Sequence, residues 1–257
     1  MGRISKDQFT YGLDSRHSIM FAHIFDMALS CEKYYSPIYG DFLSEGSCAE
    51  LIRREQFLPL KPVLFGGFDD AERKMVAFIP EDFEEAFPIC AVRFSSPRIK
   101  ALSHRDFLGS ILGLGIKREK CGDIIIKEDE AFAFLSQDIA SYVANNLVKI
   151  GREGVKAQLC EISEIELPEK SFREVKGTVS SLRLDSIISL FSSKGRAKAS
   201  ELISGGLVSV NGILSDKNDM HLKDGDVITL RGKGKATLCV GGTSKKDRIF
   251  ITLNVWS

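Results

Sequence analysis

No stretch of the 257-residue chain approaches the roughly 18 consecutive apolar residues that a membrane-spanning helix needs, which argues against a helical membrane protein. The N-terminus, Met1 to Arg16, carries mixed charge in place of a signal peptide's basic-then-apolar order, so the cytoplasm is the expected location. Metal-binding patterns are missing too. The six cysteines (Cys31, Cys48, Cys90, Cys121, Cys160 and Cys239) include no CxxC pair and have no histidine at ligand spacing. Each reads as a small buried hydrophobe kept reduced, and no metal or other cofactor is expected. His17 and His23 fall on different faces of one predicted helix and read as packing or solvent residues. Net charge is the last absence: 35 Lys+Arg stand against 35 Asp+Glu. A neutral chain ordinarily argues against nucleic acid, because neutralising phosphates needs a basic surface, but only where the charge is evenly spread.

It is not evenly spread. Residues 178–257 hold twelve Lys+Arg against seven Asp+Glu, a surplus of five, which leaves 23 against 28 in the first 177 residues. The rest of the composition is that of an ordinary globular protein, with 44% hydrophobic and 27% charged residues, and excludes collagen-like, coiled-coil and largely disordered chains. At about 100–200 residues per domain, the length suits two or three domains.

The periodicity divides the chain. Phe21, Ile24, Phe25 and Ala28 recur at i, i+3, i+4 and i+7 and predict a helix over 17–33, closed by Pro37 and Gly40. A second helix is expected over 48–56, so residues 1–73 read as a mainly helical N-terminal region. From residue 74 the pattern changes to strands at 75–79 and 89–94, a helix over 103–114 with Ser103 as N-cap, a hairpin at 124–135, a helix over 137–147 and a last strand at 155–162. That order predicts an α+β domain over 74–162 with helices on one face of a mainly antiparallel sheet. The polar stretch 163–177 reads as a linker. Over 178–257 two short amphipathic helices precede strands joined at Asn211-Gly212, the strongest short hairpin signal, and at Asp224-Gly225.

Two basic clusters lie in this last part: Lys194, Arg196 and Lys198 at the start of its second helix, and Arg231, Lys233 and Lys235 in a glycine-spaced loop. Lys194 and Lys198 stand four apart and can line one face. Arg196 points elsewhere, toward a different phosphate or toward an internal acid such as Asp185. Taken alone, such clusters are more often solvated surface than binding sites.

The run Arg183-Leu184-Asp185, Arg196-Ala197-Lys198-Ala199, Leu202-Ile203, Gly206-Leu207-Val208-Ser209-Val210-Asn211-Gly212 and Gly225-Asp226 resembles the S4 RNA-binding domain. The resemblance implies a helix-helix-hairpin module that meets structured RNA through Arg183, Lys194, Arg196 and Lys198, with the basic loop extending that surface. Gly195 departs from the family, which often has Ser before the Arg. Further blocks, among them Gly66-Gly67-Phe68, Ser103-His104-Arg105-Asp106-Phe107-Leu108-Gly109 and Leu114-Gly115-Ile116-Lys117-Arg118-Glu119-Lys120-Cys121-Gly122-Asp123, resemble the bacterial YlmH family from about residue 60 onward.

That resemblance implies an RRM-like, ferredoxin-like middle domain ahead of the S4 domain. It also implies association with large ribosomal subunits that carry peptidyl-tRNA, in quality control of stalled nascent chains. The expected partners are rRNA and tRNA, with no membrane and no DNA, and the expected state is a monomer. The aromatic RNP motif is absent, so base stacking on the middle sheet is not expected. Arg105, Lys117, Arg118 and Lys120 are candidates for a second RNA surface, weighed evenly against a solvated charged turn.

The alternative is an RNA-modifying enzyme. S4 modules also occur on pseudouridine synthases, and Arg183-Leu184-Asp185 spells the Arg-Leu-Asp around a synthase's catalytic aspartate. Here it opens the S4 helix and continues as Ser186-Ile187-Ile188, so Asp185 reads as a structural acid. No glycine-rich cofactor loop follows a strand, as a methyltransferase requires, and the expected protein is not an enzyme.

Overall fold

The computed structural model describes residues 5–167, 171–244 and 247–256. The chain divides after Leu167 into two compact units.

The first unit opens with α1 (Lys6–Thr10) and α2 (Ser15–Tyr34). The α2 helix begins ahead of its apolar stripe because Asp14 caps it, its carboxylate accepting the Arg16 and His17 N–H groups at 3.0 and 3.1 Å. The predicted stripe of Phe21, Ile24, Phe25 and Ala28 is buried. It packs with Leu51 of α3 (Glu45–Arg53), a helix displaced toward the N-terminus from the predicted 48–56 because Ser44 supplies its cap. Three strands join these helices: β1 (Ile38–Leu43), β2 (Val63–Phe65) and β3 (Lys74–Phe78), in the antiparallel order β1-β3-β2. The strand expected to open the middle domain is therefore the centre of the N-terminal sheet. β1 follows Pro37 and contains Gly40, the two residues read as helix breakers. A Cβ at Gly40 would stand 2.8 Å from Met27 Cε, so the strand lies close against α2.

The middle sheet is built from β4 (Ile89–Ser95), α4 (His104–Gly113), β5 (Cys121–Ile126), β6 (Glu130–Ser136), α5 (Gln137–Asn146) and, after the short pair β7 (Lys149–Ile150) and β8 (Glu153–Gly154), β9 (Lys156–Cys160). Its order β5-β6-β4-β9, antiparallel throughout, is the βαββαβ ferredoxin-like arrangement expected. Phe94 and Leu135 bury one face against Phe107 and Ile111 of α4 and Val143 of α5. Alternation along the strands sends Ala91, Phe132 and Phe134 to the opposite face, where Phe42, Phe65, Phe68 and Met75 cover them. The face on which RRM domains stack bases is thus a core.

The second unit comprises β10 (Phe172–Val179), α6 (Leu184–Ser192), α7 (Arg196–Ser204), β11 (Val208–Val210), β12 (Ile213–Leu214), β13 (Val227–Leu230), β14 (Gly234–Thr243) and β15 (Ile249–Trp256). They form one sheet of order β10-β15-β14-β13-β11-β12, with α6 and α7 packed on it through Ile187, Ile188, Phe191, Ala199 and Ile203. Each fully buried Ile and Phe among them contributes about 1.5–3 kcal/mol. The linker expected over 163–177 gives way at residue 172, since β10 pairs with β15 along its whole length. An edge strand with one solvated face is polar enough to read as a connection. Asn211 and Gly212 both take positive φ, 50° and 77°, as a tight hairpin turn requires.

Candidate nucleic-acid interface

Ser193, in the left-handed conformation, ends α6, and the chain re-enters a helix three residues later at Arg196. The Ser189 hydroxyl donates to the Lys194 carbonyl at 2.7 Å and holds this turn. Gly195 is the N-cap of α7 and supplies no side-chain bond there. Lys194, Arg196 and Lys198 are all exposed around this helix start, where backbone N–H groups already favour an anion. Their charges are not equivalent. Lys198 pairs with Glu201, whereas Arg196 donates from Nη2 to the Ser186 hydroxyl at 2.6 Å and to Ser180 at 3.4 Å. Arg196 therefore bonds neutral hydroxyls directly and meets the internal acid Asp185 through Ser186, whose hydroxyl donates to the carboxylate at 3.3 Å; its charge also helps to lower the Asp185 pKa.

Asp185 is taken by Arg183. Nε and Nη2 each lie 3.1 Å from one carboxylate oxygen, and this guanidinium holds the Asp185 carboxyl below the usual carboxylate range. The acid is 8% exposed, at the start of α6. Among the described residues Lys194 and Arg196 are in no ion pair, while Arg183 and Lys198 are both compensated.

The second cluster occupies the β13–β14 turn. Arg231 and Lys233 are exposed, and Lys235 lies with its Nζ 5.5 Å from the centroid of the Trp256 ring. The Arg231 N–H donates to the Leu207 carbonyl, just beyond the C-terminal end of α7. The two clusters stand at opposite ends of a nine-residue helix about 13 Å long.

Arg248 was not among the expected contacts. It precedes β15, donates from Nε to Thr178 Oγ1 at 2.9 Å and from Nη2 to the Thr178 carbonyl at 2.5 Å, and shares an open cleft of about 610 Å³ with Arg196. Its one sequence signal is the charged run Lys245-Lys246-Asp247-Arg248 between two strands. Lys245 and Lys246 lie outside the described residues.

On the middle domain the four basic candidates separate. Arg105 and Lys117 are exposed. Arg118 turns inward, donating from Nη1 to the Cys121 carbonyl at 2.6 Å, and burial pulls its pKa down. Lys120 bridges Asp41 and Asp138 at 3.1 Å each. A short 3-10 turn over Arg118–Lys120 packs beside β1, and with Arg118 turned inward and Lys120 held in a partly exposed ion-pair bridge, neither adds a free charge to Arg105 and Lys117. The segment His104-Arg105-Asp106 is a helix start with a capping box. Asp106 accepts the Ser103 N–H at 2.8 Å, and the bonds from Ser103 lower its carboxyl pKa. His104 is held toward its neutral form, first by burial and then by the nearby Arg118 charge.

Residues 80–164 match the family model described as "Putative RNA-binding domain in YlmH", and residues 182–228 match the S4 domain. The chain is 34% identical over 196 residues to "Ribosome-associated protein quality control protein P2" of Bacillus subtilis (strain 168), across 73% of this chain and 75% of that protein. The chain belongs to the YlmH family. A solved chain described as cell division protein ylmH from Streptococcus pneumoniae is 22% identical, covering 60% of this chain and 97% of that one, with a TM-score of 0.49. The expected S4 resemblance and the expected YlmH resemblance both hold. In this YlmH chain the S4 match ends at residue 228, so β14, β15 and Arg248 lie beyond it.

Proposed function

We propose that this protein is a cytoplasmic, monomeric, non-catalytic factor that binds the large ribosomal subunit through rRNA and peptidyl-tRNA and acts in quality control of stalled nascent chains. The observation that carries the reading is the exposed turn between α6 and α7, where Lys194 and Arg196 are in no ion pair among the described residues. Such groups suit the phosphates of folded RNA, whose deep A-form major groove resists side-chain readout. Arg183 and Lys198 border the same helix pair and would add contacts by exchanging their present carboxylate partners for phosphate. Arg231, Lys233 and Lys235 would reach RNA past the other end of α7, and Arg105 and Lys117 would do so from the middle domain. The relative in Bacillus subtilis, by its name, supports the ribosome as the place of action.

Burial of the middle sheet's second face under Phe42 and Met75 supports contact by loops and helix ends over base stacking. The engagement of both Asp185 oxygens by Arg183 supports a structural over a catalytic acid. Co-sedimentation with large subunits tests the reading. Arg196→Ala combined with Lys198→Ala should abolish it while the fold stays intact, and undiminished sedimentation would remove the S4 turn from the interface. Mass spectrometry of rRNA and tRNA from a deletion strain should find no missing modification; a missing one would restore the enzyme.

A further inference from the structure

The cleft shared by Arg196 and Arg248, floored in part by Val175, Val179 and Leu190, is one-sided in charge. Its walls are formed by β10 and the residue after it, α6, the start of α7 and the residue just before β15, all within the second unit. Beside the two guanidinium groups it presents the hydroxyls of Thr178, Ser180, Ser186 and Ser189, and no carboxylate lines it. A cleft that gathers two like charges with no carboxylate in its own lining favours an anion placed between them.

Both guanidinium groups are aimed by neutral acceptors. Arg196 spends two N–H groups on Ser186 and Ser180, and Arg248 spends two on Thr178. Of the five N–H donors that each carries, roughly three remain for a ligand. The nearest acids in sequence do not take these bonds: Asp185 is paired with Arg183 and reaches Arg196 only through Ser186, and among the described residues Asp247 and Arg248 form no ion pair. The position of Arg248 is set by the sheet, since the register Thr178↔Phe250 and Val179↔Ile249 brings the start of β15 to the end of β10.

We infer that this cleft is a phosphodiester-binding subsite in which Arg248, from outside the S4-matched residues, and Arg196 hold one backbone phosphate of bound RNA between them while the hydroxyls complete its hydrogen bonds. The inference deepens the proposed function and rests on it. Planar forks match the oxygens of a phosphate two at a time, which a lysine at the same place does not reproduce. The subsite extends the RNA footprint from the α6–α7 turn across the strand pair that follows the S4 match.

Binding of deproteinised large-subunit rRNA to the full chain, followed by filter retention over a series of KCl concentrations, tests it with the wild type, Arg248→Ala and Arg248→Lys. Arg248→Ala should weaken binding about tenfold at low salt, the loss expected for one charge-assisted contact. It should also reduce the dependence of log affinity on log salt by about one phosphate. Arg248→Lys keeps the charge and so the salt slope, and should lose several-fold in affinity with the fork geometry. It remains informative if the alanine variant folds poorly. Affinity and slope equal to the wild type in both variants would overturn the subsite and leave the proposed function standing, and so would a weaker Arg248→Ala with an unchanged slope. Failure of the wild type itself to retain rRNA would overturn both.

Discussion

Arg73 and Arg118 share one acceptor. The Cys121 carbonyl takes a hydrogen bond from Arg73 Nε at 2.8 Å and from Arg118 Nη1 at 2.6 Å. Arg73 also donates from Nη2 to the carbonyls of Phe42 at 2.9 Å and Arg118 at 3.3 Å, and the Asp123 carboxylate receives the N–H groups of Glu72 and Arg73 at 2.6 and 3.1 Å. Burial lowers the pKa of both guanidinium groups and raises that of Asp123. Two like charges are held together by carbonyl dipoles and one neighbouring carboxylate, and they fasten the start of β3 to β5.

Arg118 is therefore expected to act on stability and not on RNA. Arg118→Ala should cost about 1.5–3 kcal/mol, the range for hydrogen bonds from a charged donor, with RNA affinity unchanged. Arg105→Ala with Lys117→Ala should leave the melting temperature alone and weaken RNA binding. Thermal unfolding and filter binding of the same preparations check both. A loss of affinity in Arg118→Ala at an unchanged melting temperature would return Arg118 to the RNA surface.

Glycine positions separate packing from propensity. Gly67 has φ +98°, and a Cβ there would stand 2.4 Å from Phe134 Cδ1, so Gly67→Ala should destabilise by at least about 2 kcal/mol through strain and overpacking. Gly109 lies exposed within α4 with nothing near its Cβ position. Gly109→Ala should stabilise by about 0.5–1 kcal/mol. Chemical denaturation midpoints read both changes, and a neutral Gly67→Ala would mean that the aromatic layer beneath it yields freely.

The Arg183–Asp185 pair carries a pH signature. The folded carboxyl sits below its ordinary value, so the pair's contribution is complete above the unfolded pKa of about 3.9 and is lost as pH falls through the folded one. Asp185→Asn lacks that contribution at every pH. The stability gap between wild type and variant, measured by urea unfolding, should be constant from neutral pH to about pH 5 and should narrow below that. A gap that stays constant down to pH 3 would show that the pair adds nothing ionic.

Local chemistry was legible in the residues alone. The stripe Phe21, Ile24, Phe25 and Ala28, the Ser103 N-cap and the Asn211-Gly212 turn depend on neighbours a few positions away, and each appears where its spacing placed it. The order of elements over 89–160 likewise contained the ferredoxin-like plan, because short connections leave few topologies open. The S4 motifs belong to the same class of information, since they fix a helix-helix-hairpin whose basic turn is local.

Long-range pairing was not legible. β10 looked like a linker until β15 paired with it, and β1 looked like the end of a helix until β3 lay beside it. Charge behaved the same way. Lys120, a candidate for a second RNA surface weighed evenly against a solvated turn, is held by Asp41 and Asp138, whereas Arg248 carries little local signal and meets Thr178 from 70 positions away. By itself the sequence determined the family, the helices, the turns and the basic character of the last third. Which cations stay free for a partner was decided only by the tertiary structure, because a charge is neutralised by whatever the fold brings within a few ångströms, and chain separation sets no limit on that.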